Sequence, residues 1–294
     1  MDNLKTSLYQ KHKDLGAKIV PFGKYLMPLF YSGVKDEHFN TRNNASVFDV
    51  SHMGCVTVKG DDAAVFLNYI TSNNVNKLYD SKIQYSCFLN HKGGIVDDLL
   101  IYMISANEYL LVINSNNIDK DISFMDHYSS NYEVKIRDFS SQISIMALQG
   151  PNSKYILNQF LNSCNVEIDL NKLNYYHFYK FKNKLIGDVI VSSTGYTGAG
   201  GFEIYVDNNY SNIIWDGLFS KGQEYGLKPA GLAARDTLRL EMGFCLYGND
   251  INENCTPVEA NLNFIIDLNK DFLGKDIVHN QISNGCEKKL IAFS

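Results

Sequence analysis

The sequence predicts an α+β protein built from two similar lobes. An order of strand, helix, three strands and helix occurs twice along the chain. The strands come in turn-linked runs and do not alternate one for one with helices, which argues against a doubly wound parallel sheet. No Pro- or Ser-rich linker separates the two passes, so the lobes pack closely. No residue-level repeat accompanies the repeated order.

The elements follow in sequence. Met1 to Gly16 is polar, and Leu4, Leu8 and Leu15 near helical spacing predict a helix that Gly16 can close in a left-handed conformation. Ile19–Phe22 and Tyr25–Tyr31 read as strands, and Pro21 and Pro28 assign them to sheet edges. Lys35–Asn43 predicts a short helix and Ser46–Val50 a strand. The first pass then runs through a strand at Gly54–Lys59, a helix at Asp61–Ile70 capped by Asp61, and strands at Gln84–Asn90 and Ile95–Ile104 joined by the His91-Lys92-Gly93-Gly94 turn. A strand at Tyr109–Asn114 and a helix at Asn117–Tyr128 complete it. The second pass has a strand at Ile143–Gln149, a helix with Pro151 in its first turn, strands at Tyr175–Phe181, Ile186–Ser192 and Phe202–Val206, and a helix at Tyr210–Gly222. Gly231–Met242 is a further helix. The tail beyond Asp271 is polar and ends in a strand-like fragment, Lys289–Phe293, with no following neighbour in sequence to pair with, so the C-terminus reads as cut short.

Composition limits the function classes. A chain of 294 residues suggests two domains at about 150 residues each. Hydrophobic residues make up 45% and the net charge is −5, with no Lys/Arg block, which disfavours a general nucleic-acid binder. No apolar run is long enough for a membrane span, and no apolar signal core opens the chain. The six cysteines are scattered without CxxC spacing and read as small core residues in a reducing compartment. The seven histidines show no HExxH or HxH pattern, which disfavours a histidine-built metal site.

Four patches could carry chemistry. In Gly93-Gly94-Ile95-Val96-Asp97-Asp98-Leu99 a glycine turn feeds an apolar strand holding two adjacent acids, which strand alternation sends to opposite faces. One of them is either a desolvated functional carboxylate or, with its neighbour, an edge residue. Ser193 to Ile204 is glycine-rich, but a strand follows the glycines where a phosphate loop needs a helix start. It reads as a hairpin, with Glu203 at a strand start and Tyr196 placed to stack on a planar ligand. Arg235 and Arg239 stand one helical turn apart and repel unless carboxylates answer them, from a ligand or from within the chain. In Asp49-Val50-Ser51-His52-Met53-Gly54 the lone His52 reads first as a satisfied structural residue, and Met53 as core or as the lining of an aromatic pocket.

Together and in order, these patches resemble the T-protein family of the glycine cleavage system, the tetrahydrofolate-dependent aminomethyltransferases. The residues carrying the resemblance are Phe48-Asp49-Val50-Ser51-His52-Met53, Gly93 to Asp98, Ala147-Leu148-Gln149-Gly150-Pro151, Thr194 to Gly198, Gly201 to Ile204, Gly231 to Glu241, Leu246 to Asp250 and Thr256 to Glu259. Any one motif is weak, but the ordered set, from about Leu4 to Gly274, is specific.

The resemblance implies two ferredoxin-like lobes around a central folate-binding channel. A folate-binding domain would span 1–274, with lobes at roughly 51–138 and 139–274 and residues 1–50 packing on the second. Residues 275–294 would begin a C-terminal β-barrel domain that is largely missing, together with the barrel tyrosine that helps close the family's folate site. The implied reaction converts S-aminomethyldihydrolipoyl H-protein and tetrahydrofolate to dihydrolipoyl H-protein, 5,10-methylenetetrahydrofolate and ammonia. By position, Asp98 matches the family's essential acid and Asp97 is a supporting or structural neighbour. Glu203 would accept from the pterin, and Arg235 would meet the benzoylglutamate side, with internal pairing as the alternative open to Arg239. Tyr196, Met53 and Asn114 would line the channel, with Tyr85 and Tyr102 as weaker lining candidates. The partners implied are the lipoyl-bearing H-protein and folate, with neither nucleic acid nor membrane. The absence of a presequence favours a bacterial cytoplasm over a mitochondrial matrix. Two other readings use the same scaffold, a non-catalytic folate-binding protein and a folate-dependent demethylase. The Lys-Gly-Cys-type signature of the family's iron–sulfur-assembly and tRNA-modification relatives is absent, and Tyr247 to Asp250 favours the transferase.

Overall fold

The computed structural model describes residues 3–291, in the order β1 (Leu4–Lys5), α1 (Tyr9–Asp14), β2 (Lys18–Phe22), β3 (Tyr25–Phe30), α2 (Val34–Asn43), β4 (Ala45–Asp49), β5 (Gly54–Lys59), α3 (Ala63–Ile70), β6 (Ile83–Leu89), β7 (Ile95–Ser105), β8 (Glu108–Ile113), α4 (Ile118–Ser129), β9 (Lys135–Asp138), β10 (Ile143–Gln149), α5 (Ser153–Ser163), β11 (Phe178–Asn183), β12 (Gly187–Ser192), β13 (Gly201–Asp207), α6 (Ser211–Gly222), β14 (Leu227–Pro229), α7 (Leu232–Glu241) and α8 (Lys275–Asn284). The fold is α+β. No helix among the described residues is long and apolar enough to cross a membrane.

The chain divides into two compact units, one of residues 1–52 and 140–244, the other of residues 53–139 and 245–294. The repeated element order reappears in their sheets. In the second unit the strand order is β6-β7-β8-β5-β9. In the first it is β11-β12-β13-β10-β4-β14. The two match position for position, except that β4 is inserted between β10 and the strand that ends the repeat. Because β4 runs antiparallel to β10 and parallel to β14, that last strand keeps the direction β9 has beside β5.

Strand alternation sets the faces of both sheets. In the first unit Phe202, Ile204 and Val206 of β13 join a core with Ile156, Leu157 and Phe160 of α5 and Trp215 of α6. In the second, Leu99 and Ile101 of β7 pack with Phe66 and Leu67 of α3 and Met125 of α4. The other face of that sheet packs Cys87, Leu89 and Ile95 against Cys245, Ile251, Val258, Leu262, Phe272 and Val278. This packing corrects the expected lobe boundaries. Residues 245–274 belong with the first lobe, not the second, because their apolar side chains close its bare sheet face. Residues 275–284, expected to open a barrel, form α8 on the same cluster through the buried Val278.

Other local expectations also shift. The predicted N-terminal helix shrinks to α1, because Leu4 and Lys5 pair with Tyr25 and Leu26 as a strand. Tyr25–Phe30 is consequently the middle strand of a three-stranded sheet, not an edge. Pro28 is tolerated because β1 ends before reaching it, while Pro21 does lie in the edge strand β2. Asp61 does not cap α3; its Oδ1 accepts from Asn107 Nδ2 at 2.9 Å, and Asp62 accepts from the Glu133 N–H at 2.8 Å. Residues 175–177 form a turn, with Tyr176 at φ 60°, and β11 starts after it. Of the strand expected over 289–293, residues 289–291 are irregular and the remainder lies outside the described residues.

The Gly93-Gly94 turn is fixed by space. A Cβ on Gly94 would stand 1.8 Å from the Glu253 carbonyl oxygen. Gly94→Ala is therefore expected to cost about 2–3 kcal/mol, the upper range for forced overpacking. Urea denaturation measures this, and an unchanged midpoint would mean the turn and the 252–255 segment are not locked together.

Candidate functional site

The paired acids are resolved by strand geometry. Asp97 shares the helix-covered face of β7 with Leu99 and Ile101 and is wholly buried, whereas Asp98 lies on the opposite face, opposite Cys87 of β6. Tyr85 Oη donates to Asp98 Oδ2 at 2.9 Å. Continuing the β7–β8 register beyond Leu100↔Val112 sets Asn114 across from Asp98. The Asn114 Nδ2 group donates at 2.9 Å to Asp98 Oδ1 and at 2.9 Å to Asp97 Oδ1. Asp97 also receives the Asn114 N–H at 3.0 Å and Asn117 Nδ2 at 2.6 Å. It thus anchors the turn from β8 into α4, where a carboxylate suits the exposed N–H groups of a helix start.

Burial pushes the Asp98 carboxyl up to about 7, and the charge of Asp97 adds to the rise, against hydrogen bonds from Tyr85 and Asn114. Burial and then Asp98 push the Tyr85 phenol well above its usual range, so Tyr85 keeps the proton it donates. The result is a carboxyl group that changes protonation near neutral pH, held by two donors. Asn114, expected as channel lining, is the clamp between the acids. Tyr102, a weaker lining candidate, is completely buried. Met53 is half-buried at the start of the second unit.

The other candidates lie in the first unit. Glu203 of β13 points away from the core that takes Phe202 and Ile204. Its Oε2 accepts from Thr194 Oγ1 at 2.5 Å and from Tyr205 Oη at 3.4 Å. Gln149 holds the glycine-rich loop, accepting from Thr197 Oγ1 at 2.8 Å and donating to the Thr194 carbonyl at 3.1 Å. The Tyr196 ring has neighbours of its own. It stacks with Phe244 at 6.0 Å between centroids, and the Arg235 guanidinium lies 4.7 Å from its centre.

The two arginines separate cleanly. Arg239 pairs internally, with Asp236 at 2.7 Å and the Phe244 carbonyl at 2.9 Å. Arg235 keeps a buried Nη1 with no hydrogen-bond partner among the described residues. Burial draws Arg235 below the usual arginine range, with Glu203 opposing. Near it, His52 is buried with an unpartnered Nδ1, so it is not the satisfied histidine its sequence context suggests. Burial lowers His52 to about 4, with Asp49 opposing and Arg235 adding, and the ring is neutral at physiological pH.

Sequence reasoning missed Asn117, Thr194 and the buried Asp121 of α4. The only signal for Asn117 and Asp121 was their place at the start of a predicted helix, where Asn and Asp are common for capping reasons alone. No group of three or more potential metal ligands occurs among the described residues.

Comparison with known proteins gives a consistent answer. The family model described as the GCVT N-terminal domain matches residues 8–270. An aminomethyltransferase of Flavobacterium psychrophilum is 47% identical over 288 residues, covering 98% of this chain and 78% of the relative. One from Caldanaerobacter subterraneus subsp. tengcongensis is 43% identical over 296 residues, covering 100% and 78%. The solved glycine cleavage system aminomethyltransferase T from Bartonella henselae matches with a TM-score of 0.85 at 31% identity, covering 96% of this chain and 75% of that one.

The raised Asp98 has a consequence for stability. Between its unfolded value near 4 and its folded value near 7, the native state holds a proton that the unfolded state releases. Its contribution is therefore intact in acid, declines as pH rises through that window and is flat above it. Asp98→Asn removes this dependence, so its melting temperature relative to wild type should rise from about pH 4 to about pH 7 and then level off. Thermal unfolding across that range measures it; a constant difference would mean Asp98 ionises normally.

Proposed function

Because the chain belongs to the glycine cleavage aminomethyltransferase (T-protein) family, we propose that it transfers the aminomethyl carbon of S-aminomethyldihydrolipoyl H-protein to tetrahydrofolate, releasing ammonia and the dihydrolipoyl arm and forming 5,10-methylenetetrahydrofolate. The observation that carries this reading is Asp98, a partly buried carboxyl group poised near neutrality between Tyr85 and Asn114.

Tetrahydrofolate supplies the nucleophilic nitrogens that accept the one-carbon unit. The residues present suit such a co-substrate. Asp98 would orient a pterin nitrogen, take up its proton and stabilise positive charge developing at the transferred carbon. A group that titrates near the working pH is matched to that proton transfer. Tyr85 and Asn114 fix its position, and positioning two reactants supplies much of the acceleration in such a transfer. Glu203, with one carboxylate oxygen engaged by Thr194 and Tyr205, would accept from pterin donors. The unpartnered Nη1 of Arg235 suits a carboxylate of the benzoylglutamate side. Tyr196 and Met53 would supply apolar lining, and Asp97 would act through Asn114. The bacterial relatives support a bacterial cytoplasm as the compartment, with the mitochondrial matrix as the alternative.

The purified chain, aminomethylated H-protein and tetrahydrofolate should together yield ammonia and methylenetetrahydrofolate in equal amounts. Folate binding without either product would favour the non-catalytic reading, and one-carbon release from methylated sulfur or amine compounds the demethylase. Asp98→Asn should lower turnover by at least ~10²-fold while largely keeping folate affinity; near-normal turnover removes Asp98 from the chemistry. Arg235→Ala should weaken tetrahydrofolate binding by about 1–3 kcal/mol in calorimetry, the range for a charge-assisted hydrogen bond. Unchanged binding would sink the assigned contact.

A further inference from the structure

We propose that Asp121 is a positioning residue of this site, a buried carboxyl group that donates a hydrogen bond to the Asp97 carboxylate and so keeps the Asp97–Asn114–Asp98 relay in register. The inference extends the assignment of Asp98 as the proton-handling group and rests on that reading.

Asp121 lies in the first turn of α4 and is 0% exposed. Neither of its carboxyl oxygens meets a donor among the described residues. One turn before it Asn117 bonds Asp97, and one turn after it Met125 packs with Leu99 on the same face of β7, so Asp121 stands against Asp97. Lys120, beside it in sequence, does not answer it, because the Lys120 ammonium donates to the Val96 carbonyl at 2.6 Å and to Tyr247 Oη at 2.8 Å. Two ionised carboxylates enclosed together without a cation between them would be prohibitive. A carboxyl that retains its proton removes both difficulties at once. It has an O–H to donate, and Asp97 is the acceptor it faces.

The allocation of protons follows from the partners. Asp97 already takes the Asn114 N–H, the Asn114 amide and the Asn117 amide, so its oxygens are met by three donor contacts. Asp121 has no such donors, so it is the member of the pair that stays neutral. Burial, then the Asp97 charge, pushes it up to about 11, with Lys120 opposing and Asp98 adding. The consequence reaches Asp98 through Asn114, whose amide is shared between Asp97 and Asp98. Tyr85 and Cys87 of β6 also face Asp98, and both are held protonated by burial and by Asp98 itself, while Cys245 of the segment packed on that face lies beside them.

The test uses the full chain with aspartate labelled by ¹³C at the carboxyl carbon, the Asp121 signal being assigned by its loss in Asp121→Asn. In wild type that signal should keep the shift of a neutral carboxyl from about pH 5 to about pH 9. A shift marking an ionised Asp121 in that range overturns the proposal, whatever the activity. Asp121→Asn retains a neutral donor of the same shape and should leave the Asp98 titration midpoint and the pH profile of turnover in place. Asp121→Ala should move the Asp98 midpoint and lower kcat on the order of 10- to 100-fold with little change in the KM for tetrahydrofolate. An Ala variant whose midpoint does not move, or an Asn variant as impaired as Ala, overturns the proposal. If the chain shows no aminomethyl transfer at all, the Asp121 signal and the Asp98 midpoint still decide the point. Failure of the enzymatic reading is thus distinguishable from failure of this one.

Discussion

One amide side chain organises the second unit's chemistry. Adjacent acids in a β-strand must point to opposite faces, so Asp97 and Asp98 cannot share one environment. Asn114, just past the end of the neighbouring strand, reaches both. Asp97 is thereby committed to structure, tying a strand end to a helix start. Asp98 is left with donors enough to hold it still, but not enough to offset burial and the charge beside it. Two identical residues acquire different roles from one backbone alternation and one asparagine.

The first unit uses the same device with different chemistry. Glu203 points away from the helix-packed face of its strand, as Asp98 does, but hydroxyl groups of Thr194 and Tyr205 meet it. The neighbouring guanidinium of Arg235 lies over an aromatic ring and holds one nitrogen in reserve. Beside them, Gln149 anchors the glycine-rich loop through the Thr194 carbonyl and the Thr197 hydroxyl.

The repeated order of strands and helices was legible in the sequence, because hydrophobic periodicity and glycine turns mark such elements directly. The candidate residues stood out in the sequence as an ordered set of motifs, and of the two answers expected for the arginine pair Arg239 takes the internal one. The strand role of Leu4 and Lys5 was not legible, since two residues carry no periodicity and their partner, Tyr25–Leu26, is distant in sequence. Nor was the destination of residues 245–274. That segment is largely irregular, and its apolar residues show no helical or strand spacing, so only packing reveals which sheet face they cover. Asp121 escaped notice for a similar reason. An aspartate in a helix's first turn looks like an ordinary dipole partner until its burial and its acidic neighbour are seen.

Neither unit is continuous along the chain, and this sets a schedule for synthesis. Strand β4 emerges from the ribosome early, yet Val47 pairs with Leu148 and Pro229, which follow much later. The sheet from β5 to β9 can close as soon as it appears, but one of its faces, bearing Cys87, Leu89 and Ile95, stays uncovered until Val258, Phe272 and Val278 have been made. For that interval the nascent chain displays an apolar sheet surface to the cell, a state prone to mis-association and suited to chaperone capture.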